Sequence, residues 1–331
     1  LGLDAIGPLA LRIALDGAVL RSGLFVSARE PRAGLLSLLD QPPLTPNPPS
    51  WVPASATGFR QIGFDLGAAF AKFKELGISH GGDGTRQEYA QIDAQVQAFL
   101  QTDLATLLSS LGHQHSIVDF EPKTDAAAAM QRTGIVWQVK DEPLWQRVMQ
   151  TISQFAPATG GAVKAAEEQG FNGYRMQQGP ASMGLFLGRG YLVLGIGDEV
   201  TESLLSVLRN PPEGNASMAA SGLVERGAAL LPPAPCLIYQ LSDAGLSVKT
   251  TKRAIEQMIE LPLAQRSRLA RLPGAAIDAG DTAEAAAFAA KLKELLPSDE
   301  ELEGVLGVSV GQTTVNEHGL SSQSAVELPA P

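Results

Sequence analysis

Two histidines two residues apart, His113 and His115, are the strongest chemical signal in this sequence. In an extended strand alternate side chains share a face, so both imidazoles can point toward one metal ion. Asp119 and Glu121 have the same parity. A zinc centre takes three or four such ligands, and a metal-bound water is a ready nucleophile for hydrolysis. His113, His115 and Asp119 are therefore the candidate metal ligands. Ile117 interrupts the polar series, and a solvent-facing strand with polar alternation reads the same way. His80 and His318 stand beside glycines in expected turns.

The glycine-rich stretches carry less. Gly81-Gly-Asp-Gly84 offers backbone N–H groups to an anion, but it lacks the Lys-Ser/Thr of a phosphate loop and reads as a flexible turn. Gly188-Arg-Gly190 and Gly195-Ile-Gly197 have the wrong spacing for a dinucleotide fingerprint and fall between hairpin strands. There is no Gly-x-Ser-x-Gly elbow, and Ser182 has no evident histidine partner. The one cysteine, Cys236, sits in the apolar run Cys236-Leu-Ile-Tyr-Gln-Leu241 and reads as a small buried hydrophobe. No carboxylate pair stands isolated in an apolar setting that would raise one pKa. These stretches name no catalytic residue and no cofactor.

The elements that must position these residues are short and alternate in type. Leu9–Leu15 and Val19–Ala28 read as strands joined at Asp16-Gly17, a hairpin signal. An apolar helix ends at Pro42-Pro43, and Gln41–Pro53 holds six prolines and runs extended. A strand, Gly58–Asp65, leads to a helix expected to stop at Gly77, with a loop at Ile78–Thr85 and a second helix over Gln87–Leu100. The histidine strand is His113–Glu121. Ile135–Lys140, Asn172–Gln177, Met183–Leu187, Tyr191–Ile196, Cys236–Leu241, Val305–Val315 and Leu320–Glu327 read as further strands. Helices are expected at Pro143–Phe155, around Leu204, and at Ala219–Leu231, Val248–Ile259, Pro262–Arg271 and Thr282–Leu296. Asp198 reads as a helix cap and Asn210-Pro-Pro212 as a stop.

Composition narrows the class. The 331 residues carry a net charge of −10, 44% hydrophobic and 18% charged residues. That describes a globular chain. No Lys/Arg-rich run is present, which argues against nucleic acid as a partner. No apolar run approaches the roughly 18 residues of a transmembrane helix. The start at Leu1, without Met, reads as a processed or truncated product that has lost a signal peptide or anchor.

One pattern occurs twice. Leu35-Leu-Ser-Leu-Leu-Asp-Gln-Pro-Pro43 aligns with Leu204-Leu-Ser-Val-Leu-Arg-Asn-Pro-Pro212. Each follows a hairpin and precedes a connector, a proline-bearing entry, a strand and a helix. The expected fold is α+β, internally duplicated, with antiparallel sheets and helices packed on one side. Residues 1–121 form the first module and 122–331 the second, with the closing hairpin 305–327 available to pair with the first.

Three stretches resemble bacterial envelope-associated proteins of unknown function, found in planctomycete-like bacteria. They are Leu185-Phe-Leu-Gly-Arg-Gly-Tyr-Leu-Val-Leu-Gly195 with its following helix, Thr102-Asp-Leu-Ala-Thr-Leu-Leu-Ser-Ser-Leu-Gly112, and the Leu9–Ala28 hairpin with Pro31–Leu36. The resemblance implies duplicated α+β modules behind a signal peptide or lipid anchor, and an extracytoplasmic, non-enzymatic role. The expectation is an envelope or secreted binding or scaffold protein for a protein or small-molecule partner. The alternative is a metal-dependent hydrolase built on the His113/His115 strand.

Overall fold

The computed structural model describes residues 2–121, 132–159, 161–178, 181–213, 216–260, 291, 293, 295–302 and 306–328. The stretch Ala126–Met130, the helix expected at Pro262–Arg271 and most of that expected at Thr282–Leu296 lie outside them. In chain order the elements are β1 (Leu9–Asp16), β2 (Val19–Ser27), β3 (Ala56–Gly63), α1 (Leu66–Leu100), α2 (Leu104–Ser109), β4 (Leu111–Phe120), β5 (Thr133–Val139) and α3 (Glu142–Phe155). Then come β6 (Val163–Glu168), β7 (Phe171–Gln178), β8 (Ala181–Gly188), β9 (Tyr191–Ile196), α4 (Asp198–Arg209), α5 (Gly222–Leu230), β10 (Ile238–Asp243), α6 (Ala244–Glu260), β11 (Val308–Asn316) and β12 (Gly319–Glu327).

The twelve strands of the described residues join one antiparallel sheet in the order β1-β2-β12-β11-β10-β3-β4-β5-β9-β8-β7-β6. Hydrogen bonding therefore runs unbroken between residues 1–121 and 122–331: β10 pairs with β3, β5 with β4 and β12 with β2. Local chemistry explains the tight hairpins. The β8–β9 turn places Arg189 and Gly190 at φ 56° and 78°, the left-handed pair that matches strand twist.

Helices cover both faces, which corrects the one-sided packing expected from sequence. Neighbouring strand residues point to opposite faces, and Val193 and Leu192 belong to different cores. Val193, Phe186 and Val136 pack with Val200, Leu204, Leu205 and Leu208 of α4. Leu192 and Leu187 pack with Leu144, Trp145, Val148 and Met149 of α3 and Leu107 of α2. The sequence hides this because a strand buried on both faces loses its polar alternation, as in Tyr191-Leu-Val-Leu-Gly-Ile196.

Two local readings also change. The expected loop Ile78–Thr85 is helical except at Gly82, where φ 72° and ψ −158° break α1 in two. Asp65 caps its start, accepting the Ala68 N–H at 2.9 Å. The two arms fold back on each other, with a Lys74–Asp93 ion pair and Gly77 against the Tyr89 ring. At α4 the cap is Gly197, at φ 98°, rather than Asp198, which opens the first turn with Glu199. Both carboxylates there favour the positive end of the helix.

The α4 helix sits unusually low on the sheet. Gly134 of β5, Gly195 of β9 and Gly184 of β8 lie opposite one another in register. Together they form a row without side chains, in which fully buried Thr201 rests on Gly184 and Gly195 while Leu204 and Val200 meet Gly134. The Thr201 hydroxyl donates to the Gly197 carbonyl at 3.0 Å.

Candidate functional site

The histidine strand does form, as β4. Alternation puts His115 and Asp119 on one face, yet four residues of strand carry Asp119 about 13 Å beyond His115. Each is occupied separately. His115 Nε2 donates to the Phe64 carbonyl at 2.6 Å, and Asp119 Oδ1 accepts the Thr133 hydroxyl at 2.8 Å. Among the described residues no three His, Cys, Asp or Glu side chains come together to hold a metal. His113, His115 and Asp119 thus stand as separate positions along β4. The reading from spacing used the two-residue period and omitted the rise per residue.

His115 is instead a buried structural histidine. It is 6% exposed, and its Nδ1 has no hydrogen-bond partner among the described residues. Burial lowers its pKa, the Phe64 hydrogen bond opposes that, and nearby His113 and Asp65 act in opposite senses. The unfolded chain then binds a proton near pH 6.5 that the folded chain takes up only at lower pH. Stability from this residue is complete above that pH and is lost as pH falls toward the folded-state pKa. Thermal midpoints measured from pH 7 to pH 5 are expected to fall in the wild type and to fall less in His115→Gln. Equal slopes would remove His115 as the source.

Cys236 is 1% exposed, and burial pushes its thiol up to about 11. It is a protonated core residue beside Leu44, whose backbone it bridges. His80 belongs to α1, and its Nδ1 lies 2.9 Å from the Leu76 carbonyl. His318 is exposed beside Glu317 in the β11–β12 turn. Trp145 lies in the α3 core and donates to Ser110 Oγ at 2.8 Å. Trp51 is buried in the other core, and its proline-rich segment is pinned by a Pro53–Ser217 bridge.

Two surfaces of the described residues bear on partner binding. A cleft of about 690 Å³ opens between α3 and the β6–β7 edge, lined among others by Glu142, Gln146, Gln150, Glu167, Asn172 and Arg189. Glu142 is already engaged, accepting the Gly190 N–H at 2.9 Å. Tyr174 in its wall donates to the Met149 carbonyl at 2.6 Å.

The other surface is the β1 end of the sheet. Leu9, Leu11, Ile13 and Leu15 are 64%, 66%, 67% and 68% exposed, and Leu20 of β2 is 39% exposed. Register places Leu15 opposite Leu20, Ile13 opposite Ser22, Leu11 opposite Leu24 and Leu9 opposite Val26, so the stripe is continuous along β1 and broken by Ser22 on β2. Sequence reading finds this strand from its Asp16-Gly17 turn and does not assign its faces. Nothing in Leu9-Ala-Leu-Arg-Ile-Ala-Leu-Asp16 distinguishes a covered stripe from a bare one.

Compared with protein-family models, curated proteins and solved structures, the chain matches none. The fold and these surfaces define a mixed α+β protein with a twelve-stranded antiparallel sheet. Among the described residues no helix is long and apolar enough to cross a membrane.

Proposed function

We propose that the chain is a non-enzymatic binding or scaffold protein of the bacterial envelope or secreted space. In this reading it is built from a duplicated α+β unit, and its working surface is the sheet face at β1 and β2. The observation that carries the reading is the aliphatic stripe of Leu9, Leu11, Ile13 and Leu15, each about two-thirds exposed. Contiguous apolar surface of this kind marks interaction sites.

The sheet order supports duplication. Outward from the β3–β10 seam the strands run β3, β4, β5, β9, β8 on one side and β10, β11, β12, β2, β1 on the other. The β1–β2 hairpin docks beside β12 of the second module, and β8–β9 docks beside β5 at the same distance from the seam. The aligned Pro-Pro helix ends fall at equivalent points: a 3-10 helix, Gly34–Leu39, after β2, and α4 after β9.

The test is the double variant Leu11→Lys/Ile13→Lys. Both side chains are exposed, so the thermal midpoint is expected to stay near that of the wild type. Enhancement of anilinonaphthalene sulfonate fluorescence by the folded protein is expected to drop several-fold. Unchanged dye binding would remove the stripe as the apolar binding surface.

A further inference from the structure

The two ends of this sheet are built differently. Edge strand β6 carries Lys164, Glu167 and Glu168, charges that discourage another strand from pairing. Edge strand β1 has eight regular residues, no proline within it and an aliphatic face without charge. Its counterpart across the seam, β8, is no edge at all. There β7 continues the sheet, pairing Tyr174 with Leu185 and Met176 with Met183, and α3 packs over Leu187. Among the described residues no strand pairs with the outer side of β1.

The backbone polarity of β1 can be read directly. Asp16 and Val19 close a two-residue hairpin loop, which makes them a hydrogen-bonded pair. At the other end the Pro8 carbonyl accepts the Ser27 N–H at 3.0 Å. Even-numbered residues therefore turn their amides toward β2. The N–H and C=O groups of Leu9, Leu11, Ile13 and Leu15 point outward, at the positions that carry the aliphatic side chains.

Resting on the stripe as a binding surface, we propose that its partner is a second molecule of this chain, joined by antiparallel pairing of β1 with β1 about a two-fold axis at Ile13. In this register Ile13 lies opposite its own counterpart, and Leu11 lies opposite Leu15 of the second molecule. All three pairs use outward amides, and the two aliphatic stripes merge into one. On the other face Arg12 lies opposite Ala14, Ala10 lies opposite Asp16, and the diagonal neighbours of Arg12 are Asp16 and Arg12 of the second molecule. A register centred on Arg12 would set two guanidiniums directly opposite, which is destabilising. A register centred on Leu11 also pairs three aliphatics, with Leu15 opposite Gly7 where the Ile13 register sets Leu9 opposite Gly17, but it carries Asp16 opposite Ile6 and away from Arg12 of the second molecule. The sheet order is then continuous across the pair, and both β1 edges are closed.

Cross-linking reads the register. In a hydrogen-bonded antiparallel pair the Cα atoms are about 5.5 Å apart, within disulfide range. Ile13→Cys is expected to give a disulfide-linked dimer under mild oxidation, and Arg12→Cys little. Native Cys236, 1% exposed, does not compete. Sedimentation of the wild type is expected to show twice 34.7 kDa, and Leu11→Lys/Ile13→Lys a single chain with the same thermal midpoint. A wild type that stays monomeric up to about 200 μM, well above the micromolar Kd of a standard specific interface, overturns self-pairing. Equal cross-linking at Arg12 and Ile13 overturns it too. Dye binding through the stripe is scored separately, so a monomeric wild type that binds the dye through the stripe removes the partner and leaves the surface.

Discussion

Gly195→Ala is expected to lower stability by about 3 kcal/mol, the upper part of the range for forced overpacking. A Cβ at this position would lie 2.3 Å from Thr201 Oγ1, 2.8 Å from Thr201 Cα and 2.9 Å from Thr201 N. The last two are backbone atoms of α4, so the helix itself must rise. It carries fully buried Val200, Leu204 and Leu205 into the core, and those contacts loosen together. Gly184→Ala is the informative comparison. Its Cβ would meet Thr201 Cγ2 at 2.6 Å and Oγ1 at 2.8 Å, both side-chain atoms. Thr201→Ala is therefore expected to recover most of the Gly184→Ala loss and only a minor part of the Gly195→Ala loss. Denaturant unfolding of the two double-mutant cycles measures this. Equal rescue in both would mean that the helix moves freely over the sheet.

The same glycines show what was legible in the sequence. Gly195-Ile-Gly197 was recognisable as structural because its spacing failed the nucleotide pattern. Its purpose was not legible, since the row with Gly134 and Gly184 exists only after three strands pair. Hairpins fared well because turn chemistry is local: Asp16-Gly17 and Arg189-Gly190 mark β1–β2 and β8–β9. The helix break was misplaced because Gly77 looked like a stop. Its missing side chain instead admits the Tyr89 ring between two helical arms. The coarse α+β class with antiparallel pairing was readable from hairpins. The two-sided helix packing was not, because it depends on which strands end up central.

The candidate site divides the same way. His113 and His115 were visible as a pair, and only the length of the strand excluded Asp119 as a shared ligand with them. The β1 stripe was visible as alternation, whereas its exposure is a property of sheet order. Arg175 was not singled out at all. It collects Glu168 at 2.6 Å and Asp198 at 2.5 Å, with Glu202 at 3.6 Å, and lies 5.7 Å from the Phe186 ring centroid. These acids raise its pKa further, led by the Glu168 hydrogen bond. Its partners come from β6 and α4, so no spacing in sequence announces them.

Arg32→Ala is the second large expected effect, and it follows from a buried cation with four acceptors. The Arg32 side chain is 1% exposed. Its Nε donates to the Ala28 carbonyl at 2.8 Å, and Nη1 donates to Glu30 at 3.1 Å and also to Asp40. Nη2 donates to the Asn316 carbonyl. One guanidinium thus ties the end of β2, the Gly34–Leu39 turn and the β11–β12 turn together. Removing it strands the buried Ala28 carbonyl and opens a cavity, while the carbonyl of exposed Asn316 and the carboxylates of Glu30 and Asp40, 55% and 43% exposed, rehydrate. The expected loss is about 2–3 kcal/mol, below the 3–5 kcal/mol of a fully buried pair because the carboxylates keep water. Arg32→Lys retains the charge but not the planar fork that reaches all four acceptors, and is expected to recover less than half. Urea unfolding at neutral pH checks both. If lysine restored the full stability, charge alone would account for the cluster. The fork geometry predicts that it does not, because the Ala28 and Asn316 carbonyls are served by different nitrogens of one rigid plane.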